Sequence, residues 1–268
     1  MKIMAWVIGL FSLGFISLTG PLERKMVYPL DPTHVSPAAA GVSKMHEVLF
    51  ESDGETLVLW VAKQKRDKPV ILYFHGNAGN LANRAQRFGE FIKRGYGVVA
   101  MAYRGSSGST GEPSEEAISK DAINVHLALP DLIGSAPVIY YGESLGTGVA
   151  IATASRNETS ATNPVAIVLE APYTSIPDIA KLLYPKLGSM AGVMQNNWDT
   201  KSHIQHVTTP LLVLHGTKDQ LIPIEMGREV FARSPAKDKT FYAVKGAGHT
   251  NVWQQDAQKV LYRFLGRF

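Results

Sequence analysis

The stretch VIYYGESLGTGVAIATA, residues 138 to 154, joins an apolar run to a segment of helical character through a glycine-flanked serine. Its centre, Gly142 to Gly146, matches Gly-x-Ser-x-Gly, the pattern of a sharp strand-to-helix turn that presents a serine hydroxyl. The stretch therefore predicts a strand, a strained turn at Ser144 and a helix. A glycine-rich turn with no chemical role is the alternative interpretation.

The rest of the chain alternates short apolar runs with helix-like stretches. Most runs are β-branched or aromatic, and most of the later ones lack polar alternation, which is typical of strands buried on both faces of a parallel sheet. The runs cover His46 to Phe50, Thr56 to Val61, Val70 to Phe74, Gly97 to Ala102, Val138 to Tyr141, Val165 to Leu169, Leu211 to Leu214 and Thr240 to Val244. The helical patterns cover Leu81 to Arg94, Ser114 to Leu129, Leu145 to Ala154, Pro223 to Ala232 and Asn251 to Phe264. This alternation predicts an α/β fold, a mostly parallel sheet of about eight strands with helices on both faces.

Two features set the expected boundaries within the chain. Pro130 is expected to end the helix that begins at Ser114, because proline is a poor residue for a helix interior. Between residues 173 and 207 the strand rhythm stops, and helical pieces are broken by Pro185 and Gly188. We interpret this segment as a small helical cap inserted over the edge of the sheet. One main domain over residues 27–268 suits a chain of 268 residues.

The N-terminal residues 1–26 read as a hydrophobic anchor or signal segment. From Ile3 to Gly20 the chain is uncharged and mostly apolar, and as a helix it would measure roughly 27 Å, close to the bilayer core of about 30 Å. An uncleaved anchor is favoured, because the small residues Ser17 and Thr19 are followed at once by Gly20 and Pro21, a poor cleavage context. Basic residues on both sides of the segment leave its orientation weakly determined.

A nucleophilic serine needs a base and a group that orients the base, since its hydroxyl is a weak nucleophile near neutral pH. In this type of fold an acid and then a histidine follow the serine, each after a later strand. LLVLHGTKDQLIP places Asp219 after one predicted strand, and FYAVKGAGHTNVW places His249 after the last. Alone, Asp219 suits a turn residue and His249 a surface or capping residue. In this order they predict a Ser144, Asp219 and His249 triad.

The same chemistry needs backbone N–H groups that stabilise a negatively charged tetrahedral intermediate. VILYFHGNAGN is a predicted buried strand that runs into a loop at the expected position for one donor. We assign Asn77 and Leu145 as the two donors, with Ala78 as the reserve for Asn77. His75 and His215, which each precede a glycine at a strand end, are interpreted as structural residues.

Composition excludes several other functions. A formal charge of +4 without a basic block gives little support to nucleic-acid binding, and the absence of cysteine excludes disulfides and thiolate metal sites. The glycine cluster in YRGSSGSTGEPSEEA lacks the lysine and hydroxyl of a phosphate-binding loop. His203 and His206 have no acidic partner at a recognised metal spacing. We therefore expect no cofactor, no metal and no nucleic-acid partner, and the oligomeric state is left open.

Six motifs spread over the chain from about Tyr28 onward carry a family resemblance: HGNAGN, YRGSSGSTGEPSE, YGESLGTGVA, EAPYTSIPDIA, LHGTKDQLIP and GAGHTNVW. They resemble the α/β-hydrolase superfamily, and within it membrane-anchored serine hydrolases related to depalmitoylating hydrolases and often labelled serine-aminopeptidase-like. The resemblance implies the α/β-hydrolase fold and the triad named above. With the hydrophobic segment described above, it predicts attachment to a bacterial inner membrane by one N-terminal helix, and of the two orientations left open we expect the one with the folded domain on the non-cytoplasmic side. Ala102 departs from the pattern, because many members carry an acid there, and this departure is expected to affect packing.

The function that these features predict is hydrolysis of an ester or thioester, with a small-molecule or lipid-like acyl substrate. The alternative is a serine peptidase or aminopeptidase, which would need an acidic patch to hold a substrate amine, and the local acids are Asp178, Asp199 and Glu170. A second alternative is a catalytically silent, membrane-tethered interaction protein. A complete triad argues against it, because a scaffold has no physical need for these three side chains together.

Overall fold

The fold is built on a sheet of eight strands. This computed structural model describes residues 20–65, 67–156, 163–185 and 194–268. The strands are β1 (His46–Ser52), β2 (Glu55–Ala62), β3 (Val70–Phe74), β4 (Gly97–Met101), β5 (Val138–Glu143), β6 (Ala166–Glu170), β7 (Leu211–Gly216) and β8 (Lys239–Val244). Their spatial order is β1-β2-β4-β3-β5-β6-β7-β8. Among these strands, β2 pairs with β1 and with β4 in the antiparallel direction, and the other neighbouring strands pair in parallel. The predicted mostly parallel sheet is confirmed, and each strand ends within a few residues of its predicted bounds.

Helices connect the parallel strands. They are α1 (residues 20–27), α2 (Ala85–Lys93), α3 (Glu115–Ile133), α4 (Leu145–Arg156), α5 (Ile176–Leu183), α6 (Thr200–His203), α7 (Ile224–Arg233) and α8 (Gln255–Leu265), with 3₁₀ turns at Leu81–Arg84 and Ile204–His206. The helix predicted from Leu81 therefore begins as a 3₁₀ turn. A capping box explains this start, because the Asn80 and Asn83 side chains accept each other's backbone N–H groups.

The prediction that Pro130 ends helix α3 is wrong. The helix runs through Pro130 to Ile133, and the Gly134 N–H then bonds the Pro130 carbonyl oxygen at 2.9 Å. Proline lacks only its own N–H, so the turn beyond it keeps its other hydrogen bonds. Leu129 and Ile133 are buried on both sides of the proline, and their packing against the core offsets its cost.

The segment between β6 and β7 carries the helices predicted as a cap. Helix α5 has a Ser175 N-cap, whose side chain accepts from the Asp178 N–H, and none of the residues of α5 is buried. Residues 186–193, which include Gly188, lie outside the described part. The cap and domain boundaries stay predictions.

The core lies in two layers, one on each face of the sheet. Every residue of β3 is fully buried. Val70, Leu72 and Phe74 pack in one layer, while Ile71 and Tyr73 pack in the other. Strands that bury both faces need continuous apolar runs, which explains the pattern seen in the sequence. The parallel strands align their carboxyl ends at one edge, where ligands bind in open α/β sheets.

Helix α1 packs back onto the body of the protein. The Tyr28 hydroxyl donates to Asn196 Oδ1 at 2.8 Å and accepts from Trp198 Nε1 at 2.8 Å. The Glu23 carboxylate accepts from the Asn196 N–H at 2.7 Å. The end of α1 is therefore tied to the segment that leads into α6.

The predicted hydrophobic anchor lies almost wholly outside the described residues. Within the described ranges, none of the helices has the length and apolar character needed to cross a bilayer. The membrane attachment stays a prediction.

Candidate active site

Ser144 sits in a strained turn between β5 and α4. Its backbone φ is +50°, in the left-handed region that non-glycine residues seldom occupy. The Ser144 N–H bonds the Glu170 carbonyl oxygen at 2.9 Å, and its own carbonyl accepts from the Thr147 N–H at 2.9 Å. A Cβ at Gly146 would overlap the Phe74 carbonyl oxygen. The glycine thus lets the start of α4 approach β3 closely enough to hold the serine in this turn.

The three side chains predicted as a triad form a continuous chain of hydrogen bonds. His249 Nε2 lies 3.0 Å from Ser144 Oγ, and His249 Nδ1 lies 2.8 Å from Asp219 Oδ2. The other carboxylate oxygen, Asp219 Oδ1, accepts from the Leu221 and Ile222 N–H groups at 3.0 and 2.8 Å. One acid oxygen is therefore held by the backbone while the other faces the imidazole.

The ionisation of Asp219 fits this geometry. Burial alone would raise the pKa of the Asp219 carboxyl, but hydrogen bonds from His215, His249 and the Ile222 backbone outweigh burial and hold the pKa well below its ordinary value. The carboxylate is therefore charged at neutral pH and positioned to accept the His249 Nδ1–H.

The two predicted backbone donors border the same space as the serine. Asn77, Ser144 and Leu145 line one common cavity. Leu145 is the first residue of α4, where N–H groups have no acceptor within the helix and the helix dipole is positive. The Asn77 side chain donates to the Val27 carbonyl oxygen at 3.3 Å, which ties this loop to α1.

His75 and His215 have other surroundings. His75 is fully buried, its Nδ1 lies 2.7 Å from the Gly76 carbonyl oxygen and its ring stacks on Tyr103 with centroids 4.1 Å apart. Burial lowers the pKa of His75 to about 3, so the ring is neutral at ordinary pH. His215 Nε2 lies 2.8 Å from the Ile222 carbonyl oxygen. Both contacts agree with structural roles.

A buried charge network beside Ser144 was missed in the sequence. Arg84 donates to both Glu143 oxygens, from Nε at 3.1 Å and Nη2 at 3.0 Å. Arg87 donates in the same bidentate way to Glu170, at 2.8 and 3.1 Å. Tyr73 donates to Glu143 Oε2 at 2.6 Å. The sequence does contain a signal for this network: two arginines lie three residues apart, and a glutamate follows each of two predicted strands.

Electrostatics keep this network ionised. Burial would raise the pKa of Glu143, but the charges of Arg87 and Arg84 and the hydrogen bonds from Arg84 and Tyr73 lower it to about 2. Removing one partner of such a pair leaves an uncompensated buried charge. The loss of any one partner is therefore expected to destabilise the protein directly next to the candidate nucleophile.

Two cavities of different chemistry meet at Ser144. The larger, about 600 Å³, has a polar wall that includes Arg84, Arg87, Glu143 and Glu170. The smaller, about 290 Å³, has an apolar lining and no charged side chain: Met26, Val27, Asn77, Ser144, Leu145, Tyr173, Ile176, Ile179, Ala180, Leu183, Tyr184, Met194, Leu221 and Ile222. We call these the polar cavity and the apolar cavity.

The acids considered for an amine-binding patch are all engaged. Asp178 Oδ2 accepts from Lys201 Nζ at 2.7 Å, and Asp199 caps α6 by accepting from the Ser202 N–H and hydroxyl. Glu170 is buried against Arg87. Of the described residues, no group of three or more histidines and acids is arranged to hold a metal ion.

The protein has the arrangement of the α/β hydrolases: a mostly parallel sheet, a positive-φ serine in Gly-x-Ser-x-Gly, a histidine that contacts the serine and an acid that contacts the histidine, both after later strands. The chain matches the Hydrolase_4 family, described as serine aminopeptidase, S33, over residues 65–203 and 184–254, and it belongs to that family. The resemblance of the motifs to the serine hydrolases of the α/β-hydrolase superfamily is confirmed.

Individual relatives agree. The chain is 33% identical over 187 residues to the zebrafish (Danio rerio) lysophosphatidylserine lipase ABHD12, covering 64% of this chain and 49% of the relative. It is 27% identical over 260 residues to protein Rv2307c of Mycobacterium tuberculosis, covering 95% of this chain and 90% of the relative. The chain thus spans about half the length of the zebrafish lipase.

Solved structures show the same fold. The Pyrococcus furiosus esterase Pf2001 superposes with a TM-score of 0.71 at 18% identity, covering 89% of this chain and 98% of that chain. An identity this low shows the fold alone.

Proposed function

We propose that the protein is a serine hydrolase that cleaves acyl esters through an acyl-enzyme, with Ser144 as nucleophile, His249 as base and Asp219 as the orienting acid. The observation that carries the proposal is the hydrogen-bond chain from Ser144 Oγ through His249 to Asp219, at 3.0 and 2.8 Å. This chain starts where the polar and apolar cavities meet.

In the first half of the reaction, Ser144 Oγ attacks the ester carbonyl carbon while His249 Nε2 takes the hydroxyl proton. The N–H groups of Asn77 and Leu145 stabilise the negative oxygen of the tetrahedral intermediate. The carbon–oxygen bond to the alcohol then breaks, and the imidazolium returns its proton to the leaving oxygen.

In the second half, water attacks the acyl carbon and gives its proton to His249. A second tetrahedral intermediate collapses, the bond to Ser144 Oγ breaks and the serine recovers its proton. Asp219 keeps the imidazole in the tautomer with hydrogen on Nδ1 and stabilises its protonated form. A thioester follows the same steps with a thiol as leaving group.

The cavities suggest how a substrate is divided. The apolar cavity suits the acyl chain, since its lining has no charged side chain, and the polar cavity suits an alcohol part that forms hydrogen bonds. A volume of about 290 Å³ holds about ten carbon atoms if each takes roughly the 30 Å³ of a water molecule in the liquid. The lysophosphatidylserine lipase relatives, whose name describes a lipid substrate, support a single-chain acyl ester.

The peptidase alternative follows from the description of the family. It is less favoured, because Asp178, Asp199 and Glu170 are each held by another protein group rather than open to an amine. A silent interaction protein is disfavoured by the intact hydrogen-bond chain.

One experiment separates the three. p-Nitrophenyl esters from acetyl to palmitoyl, a matched acyl thioester and aminoacyl p-nitroanilides are assayed with wild type and Ser144→Ala. We expect ester hydrolysis with an optimum near ten carbons, and at least about a 10⁴-fold loss in Ser144→Ala. Preference for the anilides would favour the peptidase, and turnover of none of the substrates would favour the silent protein.

A further inference from the structure

Exposed apolar side chains concentrate where the apolar cavity opens. Met26, Leu183, Tyr184 and Leu221 line this cavity and are also exposed, so they stand at its mouth. Leu22 lies four residues before Met26 on the same face of α1, and Leu182 adjoins Leu183. We call these six residues the apolar rim. Among the described residues, the other large apolar side chains that are exposed are Leu49 and Leu127.

The apolar rim is costly in water. The six side chains of the rim are 40–61% exposed, and a large contiguous apolar patch on a soluble protein often marks an interaction surface. The outer residues of α5 need not be apolar for packing, because none of that helix is buried. We therefore expect the rim to bind a partner that is itself apolar.

The sequence indicates what that partner is. Helix α1, which supplies Leu22 and Met26, begins at the last residue of the uncharged stretch from Ile3 to Gly20. This stretch is long enough for the bilayer core. The bonds of Tyr28 and Glu23 to Asn196 hold the end of α1 against the body. A lipid-inserted stretch would therefore leave the rim at the membrane surface.

Side chains around the rim suit a membrane interface. Lys25 adjoins Met26 and Lys181 adjoins Leu182, and both lysines are exposed. Lysines near apolar side chains can place their stems in the interface and their charges among lipid headgroups. Tyr184 also suits this position, because tyrosine is enriched at the interface between membrane and water.

We propose that the apolar rim docks into the surface of a lipid bilayer, so that an acyl chain passes from the bilayer into the apolar cavity. This inference rests on the proposed function in its second part, since it takes the substrate to be an acyl ester. The docking itself depends on the rim and on the position of α1.

The absence of cysteine allows a direct test of docking. Leu182→Cys, and as its control Leu127→Cys, are labelled with an environment-sensitive fluorophore in the full chain and reconstituted in phosphatidylcholine vesicles. These leucines are 47% and 58% exposed. We expect brominated lipid to quench the label at 182 at least about threefold more than at 127, in line with shallow burial of an interfacial apolar face. Equal quenching, or none at either position, would overturn the proposal.

A kinetic test separates docking from catalysis. The double variant Leu22→Asp and Leu182→Asp is compared with Leu49→Asp and Leu127→Asp, which alter similarly exposed leucines away from the rim. Rates are measured on p-nitrophenyl acetate in solution and on a decanoyl ester carried in vesicles. We expect only the rim variant to lose vesicle activity, by about tenfold or more, with acetate rates unchanged in both.

Equal vesicle rates in the two double variants would contradict docking while leaving the proposed function intact. A wild type that fails on the soluble acetate would instead contradict the proposed function. Self-association that the rim variant loses without losing vesicle activity would assign the rim to a second copy of the chain, and so overturn the proposal.

Discussion

Arg84 holds Glu143, the residue immediately before Ser144, through two hydrogen bonds of 3.0 and 3.1 Å. The same guanidinium donates through Nη1 to the Ala78 carbonyl oxygen at 2.6 Å. Arg84 therefore connects the turn that presents Ser144 with the loop that carries Asn77. Together with the close approach of Gly146 to β3, this side chain helps to fix the position of the nucleophile relative to the N–H donor.

Replacing Arg84 by methionine should lower kcat by about tenfold to a hundredfold, because a donor displaced from the oxyanion loses much of its effect. KM for p-nitrophenyl butyrate should change less than about threefold, since the apolar cavity is untouched. Arg94→Met is the matched control, because Arg94 pairs with Glu90 at the surface. A rise in KM with unchanged kcat would show that Arg84 serves substrate binding instead.

Glu143 should make stability depend on pH. Its pKa is about 2 in the fold against an ordinary value of 4.5, so its stabilising effect is complete above pH 4.5 and is lost as the pH falls toward 2. The effect is on the order of 3 kcal/mol. Urea midpoints should fall steeply over this range in wild type and less steeply in Glu143→Gln. Glu229→Gln, which alters an exposed ion pair, should keep the wild-type slope, and equal slopes in all three proteins would contradict the assignment.

Asp219→Asn should lower kcat by about 10³- to 10⁴-fold without unfolding the protein, because an amide no longer favours the tautomer with hydrogen on His249 Nδ1. Circular dichroism and ester kinetics check the two parts. Asp199→Asn is the control, since asparagine caps a helix as well as aspartate. If Asp199→Asn lost as much activity as Asp219→Asn, the assignment of Asp219 as the residue that orients His249 would be contradicted.

The size of the apolar cavity can be tested from its wall. Ala180 lines the cavity in helix α5, and Ala180→Trp would fill part of its roughly 290 Å³. We expect the optimal p-nitrophenyl ester to shorten by several carbons while the acetate rate stays within about twofold, because bulky groups in a pocket discriminate by chain length. An unchanged chain-length profile would mean that the acyl chain binds elsewhere.

Much of the fold could be predicted because the buried strands consist almost entirely of apolar residues. The five apolar residues of β3 fill both layers of the core, so the run Val70–Phe74 could be identified without any partner. Ala102, the residue directly after β4, is buried, as a packing role requires. The order of Ser144, Asp219 and His249, which follow β5, β7 and β8, could be read in the same way, since parallel strands align their ends.

Other features depend on contacts between distant residues. Helix α3 continues past Pro130 because Ile133 reaches the core, and local propensity contains no trace of that contact. Arg84 and Arg87 resemble surface residues of an amphipathic helix until Glu143 and Glu170 are placed opposite them. The division into a polar and an apolar cavity likewise depends on α1 and α5 both lining the space beside Ser144.

The central claim is that Ser144 is a nucleophile activated by His249. Mass spectrometry after reaction with a fluorophosphonate tests it directly, in wild type, Ser144→Ala and His249→Ala, with Ser175→Ala as a control that changes a helix cap. We expect one phosphonyl group on Ser144 in wild type and in Ser175→Ala, none in Ser144→Ala, and labelling slowed by at least about 10³-fold in His249→Ala. Labelling that persists in Ser144→Ala, or that proceeds at the wild-type rate without His249, would contradict the account.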